Sequence, residues 1–312
     1  LFRKEPHVRR LFPLLLLLSL GCQPSGCTRT SAPVAVGPTV TDDLGRSVVL
    51  PKSPERIVSL SPAATEILFA IGAGPNVVAG TEYDTFPEEA KKLPRIGGFT
   101  PQSINLEAIL AHKPDLVIAA PQKDVIAALE QLGIPVLALD PKATDDVWNN
   151  IELLGSATGC EEKATELLTT LQTRRKDVWT RKVWREAMRD SAPPPRVLFV
   201  LADEPLMTCG KGTFIDEIIT AAGGTNVFGD VADSWPKVSD EQVLARDADV
   251  ILCVEHVGGD GLIVPGRLKM RPGWDKLSAV KSGRVYAVDA DLLTRPGPRL
   301  VDGLEAVEKL LR

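Results

Sequence analysis

The side chains with chemical potential in this chain are aromatics and carboxylates rather than a catalytic set. Tyr83, Phe86, Phe99 and Trp235 stand in short segments beside Gly and Pro, with Phe214 and Trp274 as further candidates. Aromatics make up only 5% of the chain, so their positions are informative. Loops at strand ends are where α/β proteins hold ligands. Aromatic faces there suit a large, flat or bulky ligand. Each ring also suits a core, because large aromatics usually fill space. Asp291 and Arg295, in DADLLTRPGPRL, fit a local ion pair or polar anchors for ligand amides or phosphate. Glu107 and Glu241 lie in the first turns of matching helices. They fit helix-dipole compensation, worth about 0.3–1 kcal/mol, or a pair of acidic knobs that meet arginines on a two-fold partner.

Motifs for covalent or metal chemistry are absent. There is no G-x-S-x-G, H-E-x-x-H, Walker A or G-x-G-x-x-G. Gly210-Lys211-Gly212-Thr213 has the wrong spacing for a phosphate loop, with Pro205 where the first Gly should stand. His112 and His256 are the only histidines after residue 21, which weakens a zinc or manganese site. The expectation is a binding protein with no catalytic residue, no metal site and no cofactor.

The element that must position these residues is a long helix, Glu161 to Asp190. Ala164, Leu167, Leu168 and Leu171 fall at i, i+3, i+4, i+7. Val178, Trp179, Val183, Ala187 and Met188 continue an apolar stripe. Gly159 precedes it, and Pro193, Pro194 and Pro195 forbid helix soon after. On each side strands alternate with helices, which implies mainly parallel sheets. The pattern predicts an α/β protein of two Rossmann-like lobes joined by one long α-helix, with a ligand cleft between the lobes. A single domain carrying a long surface helix is the alternative. Ahead of the first lobe, Val40–Leu50 alternates around an Asp43–Gly45 turn and predicts a short hairpin. The lobes echo each other. Residues 105–120, NLEAILAHKPDLVIAA, align without gaps on 239–254, SDEQVLARDADVILCV, and Glu66-Ile67-Leu68 recurs as Glu217-Ile218-Ile219.

The 312 residues leave room for two lobes of ordinary size. Arg3, Lys4, Arg9 and Arg10 against Glu5 give residues 1–21 a charge of +3; with −5 overall, the remainder carries −8. An acidic mature chain argues against nucleic-acid binding. Arg9-Arg10 followed by the apolar run Leu11 to Leu20 reads as an export signal, too short for a mature membrane anchor. It ends in Leu18-Ser19-Leu20-Gly21-Cys22, which resembles a bacterial lipobox with Cys22 as the lipidated residue. Ordinary secretion is the alternative. The expected layout is a signal peptide over 1–21 and a tether with hairpin over 22–52. An N-terminal lobe follows over 53–159, then a linking helix over 160–190 and a C-terminal lobe over 191–312. Cys160, Cys209 and Cys253 match no metal or disulfide framework and read as buried thiols.

RIVSLSPAATEILFAIG, NLEAILAHKPDLVI, GGTNVF, WPKVSDEQVLAR and RPGPRLVDGLE together resemble the substrate-binding proteins of bacterial ABC importers. The likeness is to the long-helix group that carries cobalamin, haem or ferric siderophores, and to its cobalamin-binding members most. It covers roughly residues 40–312. It implies that Tyr83, Phe99, Trp235, Asp291 and Arg295 contact the ligand, and that Glu107 and Glu241 dock on the permease. The chain departs from the pattern at Phe99, where a Trp is found, and near Ala119-Ala120, where a second cleft Trp is missing. The resemblance implies a lipid-anchored, exported monomer that delivers a corrinoid to an ABC permease with its ATPase. A siderophore would require several basic cleft residues, with Arg267 and Arg271 as candidates beside Arg295. Haem would require an axial ligand such as Tyr83 or His256. An alternative of another class is a two-lobed metal-chelatase-like enzyme.

Overall fold

The computed structural model describes residues 36–98, 100–188, 193–255 and 265–312. The export signal, Cys22, Phe99 and His256 lie outside the described residues. From Ala35 to Arg312 the chain forms one compact unit.

The hairpin comes first: β1 (Val36–Thr41) pairs antiparallel with β2 (Ser47–Pro51). Its turn is closed by Asp42, whose Oδ1 accepts from the N–H groups of Leu44 at 3.1 Å and Arg46 at 2.9 Å. Gly45 takes the positive φ of 72° that the turn requires. Next come β3 (Ile57–Ser59), α1 (Pro62–Ala70), β4 (Val77–Ala79), α2 (Leu106–Ala111), β5 (Leu116–Ala119), α3 (Lys123–Gln131), β6 (Val136–Ala138) and α4 (Thr144–Thr158). Ser61 and Pro62 start α1 as cap and first residue. The four strands make a parallel sheet in the order β4-β3-β5-β6. Every residue of β5 is buried, as a strand covered on both faces requires.

Gly159, at φ 69°, ends α4, and α5 (Glu161–Met188) follows as 28 residues of unbroken helix, about 42 Å long at helical rise. The second lobe then repeats the first. It contains β7 (Arg196–Val200), the small hairpin β8 (Ala202–Asp203) and β9 (Leu206–Met207), α6 (Phe214–Ala221), β10 (Thr225–Asn226), α7 (Asp240–Arg246) and β11 (Val250–Glu255). It closes with α8 (Pro265–Lys269), α9 (Ser278–Lys281), β12 (Val285–Asp289), α10 (Ala290–Leu293) and α11 (Leu300–Leu310). Its parallel sheet runs β10-β7-β11-β12. Each sheet thus places its second strand outside its first, then its third and fourth on the other side. One continuous core joins a face of the first sheet, through Trp148 and Ile151 of α4 and Leu168 and Leu171 of α5, to the second lobe. A separate core fills the opposite side of the first sheet around Val58, Val117 and Ile109.

The sequence echo has a structural counterpart. Lys113 and Asp247, at matching positions after α2 and α7, both take positive φ, 47° and 37°. Asp115 accepts from the backbone of Glu55 at 2.8 Å and Arg56 at 3.0 Å. Asp249 does the same for Arg196 at 2.8 Å. The guanidinium of Arg56 in turn bonds the carbonyl of His112, and that of Arg196 the carbonyl of Arg246.

One expectation is corrected. The apolar stripe of α5 is buried only at Ala164, Leu168, Leu171 and Val178. Trp179, Val183 and Met188 are exposed, at 57%, 41% and 77%. The distal half meets α11 through arginines instead. Arg174 pairs with Asp302 at 2.6 Å and Glu305 at 2.8 Å. Arg181 and Arg185 both reach the buried Glu308, at 3.2 and 3.0 Å. Periodicity found the helix but not which side its partner would cover.

Candidate functional site

The candidate site is a cleft of about 670 Å³ at the carboxyl ends of the strands, where the topology of an open parallel sheet leaves a crevice. The first lobe contributes residues 61–64 after β3, 120–121 after β5 and 139–141 after β6, with Tyr83, Thr100 and Asn150. The second lobe contributes Asp291 and residues 294–296, which follow β12. Most of this lining is small or apolar. Its charged members are Asp140, Asp291 and Arg295.

Tyr83 is half exposed and is held by the loop beneath it. Asp84 is fully buried there and accepts from the N–H of Thr81 at 2.6 Å. Burial raises the Asp84 carboxyl above its usual range, against the lowering effect of hydrogen bonds from Thr65 and Thr81 and of nearby Arg95. Arg95 staples the same loop by donating to the carbonyls of Thr81 at 2.6 Å and Asp84 at 3.3 Å. Gly80 is needed at this point, because an added Cβ would stand 2.1 Å from Asp84 Oδ2.

Arg295 and Asp291 meet at 2.9 Å, and both face the cleft. Arg295 also donates to Thr85 Oγ1 at 3.0 Å and lies 3.4 Å from Glu66 Oε1, while Thr85 Oγ1 donates to Asp291 at 3.0 Å. Arg299 adds two bonds to Glu66, at 2.9 and 2.6 Å. Glu66 and Thr85 belong to the first lobe, so this network crosses from one lobe to the other. Glu217, the counterpart of Glu66 in the repeat, crosses in the opposite direction. It accepts from the N–H and Oγ1 of Thr144, at 2.8 and 2.5 Å, at the start of α4, where a carboxylate suits the helix N-terminus.

The other aromatics are placed differently. Trp235 is partly buried and packs edge-on against Phe214, with ring centroids 6.0 Å apart at 64°. It is outside the cleft lining given by the described residues. Phe86 is 45% exposed and carries the Arg299 guanidinium 4.3 Å from its ring centre. Two expectations are corrected: Phe214 is 93% buried at the start of α6, and Trp274 is wholly buried, its indole donating to Asp240 at 2.8 Å. Both are part of the continuous core. Arg267 pairs with Asp203 and Glu204, and Arg271 with Asp240; neither lines the cleft.

Glu107 and Glu241 are exposed, each in the second position of its helix behind a side-chain cap from Asn105 or Ser239. A hydrogen bond from Ser239 holds the Glu241 carboxyl below its usual value. The sequence reading missed Asp140, Asn150 and the loops after β3, β5 and β6. A proline marks each of those loops, but small apolar side chains carry no signal of a ligand. Among the described residues no group of three or more His, Cys, Asp or Glu is placed to hold a metal ion, and no helix is long and apolar enough to cross a membrane.

A periplasmic binding protein family matches residues 57–292. An ABC transporter substrate-binding lipoprotein of Bacillus subtilis strain 168, YvrC, is 34% identical over 275 residues, 86% of this chain and 83% of that protein. The crystal structure of the periplasmic vitamin B12 binding protein BtuF of Vibrio cholerae matches with a TM-score of 0.70 and 35% identity, over 83% of this chain and 96% of that one. The periplasmic heme-binding protein RhuT from Roseiflexus sp. RS-1 matches with a TM-score of 0.71 and 30% identity, over 82% and 97%.

Proposed function

The chain belongs to the periplasmic binding protein family, and from that premise we propose that it captures a corrinoid in the interlobe cleft and delivers it to an ABC permease. Family membership makes it an extracytoplasmic substrate-binding protein of a transport system. The observation that supports a corrinoid is the character of the cleft. Its described lining is mostly apolar or small, and the one arginine among those residues, Arg295, is already matched by Asp291 and Glu66. A large ligand without net negative charge fits such a surface. A ferric siderophore would require cationic partners, and Arg267 and Arg271 are spent elsewhere. Haem is the second reading, favoured by one observation: the Tyr83 phenol faces the cleft and is half exposed.

In this proposal Tyr83, Asp291 and Arg295 contact the ligand. Phe99 and Trp235 join them on the sequence resemblance alone. Glu107 and Glu241 dock on the permease, one from each lobe. Residues 1–21 are the export signal, Cys22 carries the lipid, residues 23–52 supply a tether and a short hairpin, and the linking helix 160–190 joins the two lobes, 53–159 and 191–312. The protein works as a monomer and performs no catalysis.

The test is a tryptophan-fluorescence titration of the purified protein with cobalamin, haem and a ferric hydroxamate siderophore, each corrected for absorbance. Saturable one-to-one quenching by cobalamin alone is expected. Saturation by haem or the siderophore instead, with no response to cobalamin, would move the protein to that ligand class.

A further inference from the structure

The first-lobe end of the cleft carries a polar corner with an unpaired buried acceptor beside a carboxylate. Asp43, in the turn of the β1–β2 hairpin, uses one oxygen, Oδ2, to accept from both the Asp140 N–H at 2.6 Å and Asn150 Nδ2 at 3.0 Å. Both bonded residues line the cleft. One Nδ2 N–H of Asn150 goes to Asp43, while its Oδ1 is buried and has no hydrogen-bond partner among the described residues, on a residue that is 99% buried. A buried acceptor left unpaired costs about 1–3 kcal/mol, so its presence beside a ligand cleft is an observation that requires a partner. The Asp140 carboxylate lies next to it, 25% exposed and paired at 2.6 Å only with Lys142, which is itself 72% exposed. Such a surface pair is weak.

The neighbouring backbone N–H groups of the β6 loop are in use. The Leu139 N–H is given to Ala119 and the Asp140 N–H to Asp43. Pro121 and Pro141 have none. The two groups on which the corner turns, Asn150 Oδ1 and the Asp140 carboxylate, both accept hydrogen bonds, and one of them is an anion.

We propose that Asp140 and Asn150 form a subsite that receives carboxamide N–H groups at the edge of the ligand and rejects carboxylates. The inference deepens the corrinoid reading and rests on it. A corrinoid ring carries primary carboxamides around its rim, whereas haem presents propionate carboxylates. A carboxamide N–H satisfies Asn150 Oδ1 and the Asp140 carboxylate. A carboxylate in that position faces an anion and a lone pair, and the Lys142 ammonium beside them is already shared with Asp140 and open to solvent. The hairpin acquires a role in this scheme, because Asp43 orients both acceptors from outside the cleft.

The test compares cyanocobalamin with its isolated monocarboxylate isomers, in which one propionamide is hydrolysed, by titration calorimetry at pH 7. The wild-type protein is expected to bind at least one isomer tenfold or more weakly than the parent. Asp140→Asn keeps the backbone bond to Asp43 and the side-chain shape, and is expected to bring that ratio to threefold or less. Asn150→Leu is expected to weaken the parent itself tenfold, with thermal unfolding measured alongside to verify folding. If every isomer binds within threefold of the parent, or the ratio survives in Asp140→Asn, the subsite is overturned while corrinoid binding stands. Absence of corrinoid binding to the wild-type protein overturns both readings.

Discussion

Glu66 of the first lobe and Arg299 of the second form a two-point ion pair, Nε at 2.9 Å and Nη2 at 2.6 Å. Glu66 is 97% buried, and burial at Arg299 is offset by this carboxylate, which holds its guanidinium firmly protonated. A buried pair of this kind is weak evidence of net stability, but removing one member leaves a charge stranded, at about 3–5 kcal/mol. Glu66→Leu is expected to lower stability to urea by about 3 kcal/mol. The double variant Glu66→Leu with Arg299→Leu is expected to recover at least half of that. Equal losses in the single and double variants would show that the pair is not what holds the lobes here.

The ion pairs between α5 and α11 set a pH dependence. Arg174 holds the Glu305 carboxyl below its ordinary value, against the opposing effect of burial. At Glu308 burial alone would raise the carboxyl, but Arg181 and Arg312 outweigh it and the result is also lowered. With folded pKa values depressed, the unfolded chain binds more protons as pH falls. The contribution is therefore complete above the ordinary value of 4.5 and is lost as pH drops through the lowered one. Asp84, raised by burial, acts in the opposite direction. Urea titrations from pH 7 to pH 3 are expected to show stability falling below about 4.5. Arg174→Gln is expected to cost about 1 kcal/mol or less at pH 7, since the pair is partly exposed, and to flatten the acid slope. An unchanged slope in that variant would remove Arg174 from the account.

Tyr83 and Trp235 separate two ideas about the cleft. A large aromatic buried against ligand contributes about 1.5–3 kcal/mol. Tyr83→Ala is expected to weaken ligand binding tenfold or more in the titration above. Trp235→Ala removes an edge-on partner of Phe214; the proposed contact gives a similar tenfold loss, whereas a packing role gives lower thermal stability with ligand affinity within threefold. If Tyr83→Ala binds like the wild type, the ligand does not reach the cleft mouth.

The paired glutamates are tested by transport. Glu107→Ala with Glu241→Ala is expected to leave ligand affinity and thermal stability unchanged, because both side chains are exposed, and to abolish uptake in cells carrying the cognate permease. Uptake at the wild-type rate would sink the docking proposal.

Membrane attachment is tested at Cys22. Cys22→Ser is expected to move the protein from the membrane pellet to the soluble fraction after cell disruption. Retention in the pellet would assign anchoring to another part of the chain.

Local signals made much of the fold readable from the sequence. Ser61-Pro62, Asn105 and Ser239 announced helix starts, since caps and proline act on their own turn. Continuous apolar runs announced buried parallel strands, and the 134-residue offset of 105–120 against 239–254 announced two similar halves. The unbroken stretch without Gly or Pro announced α5, and loop positions identified Tyr83, Asp291 and Arg295 as neighbours of a cleft. Tertiary structure alone decided the remainder. The distal apolar stripe of α5 faces solvent because arginines, not Trp179 or Val183, meet the acids of α11. Phe214 and Trp274 are packed into the core, although their segments read as loops. The pairs Glu66–Arg299 and Asp43–Asn150 join residues 233 and 107 positions apart. No periodicity or spacing encodes such meetings, because they depend on how distant segments of the chain pack together, between the hairpin and the first lobe for one pair and between lobes for the other.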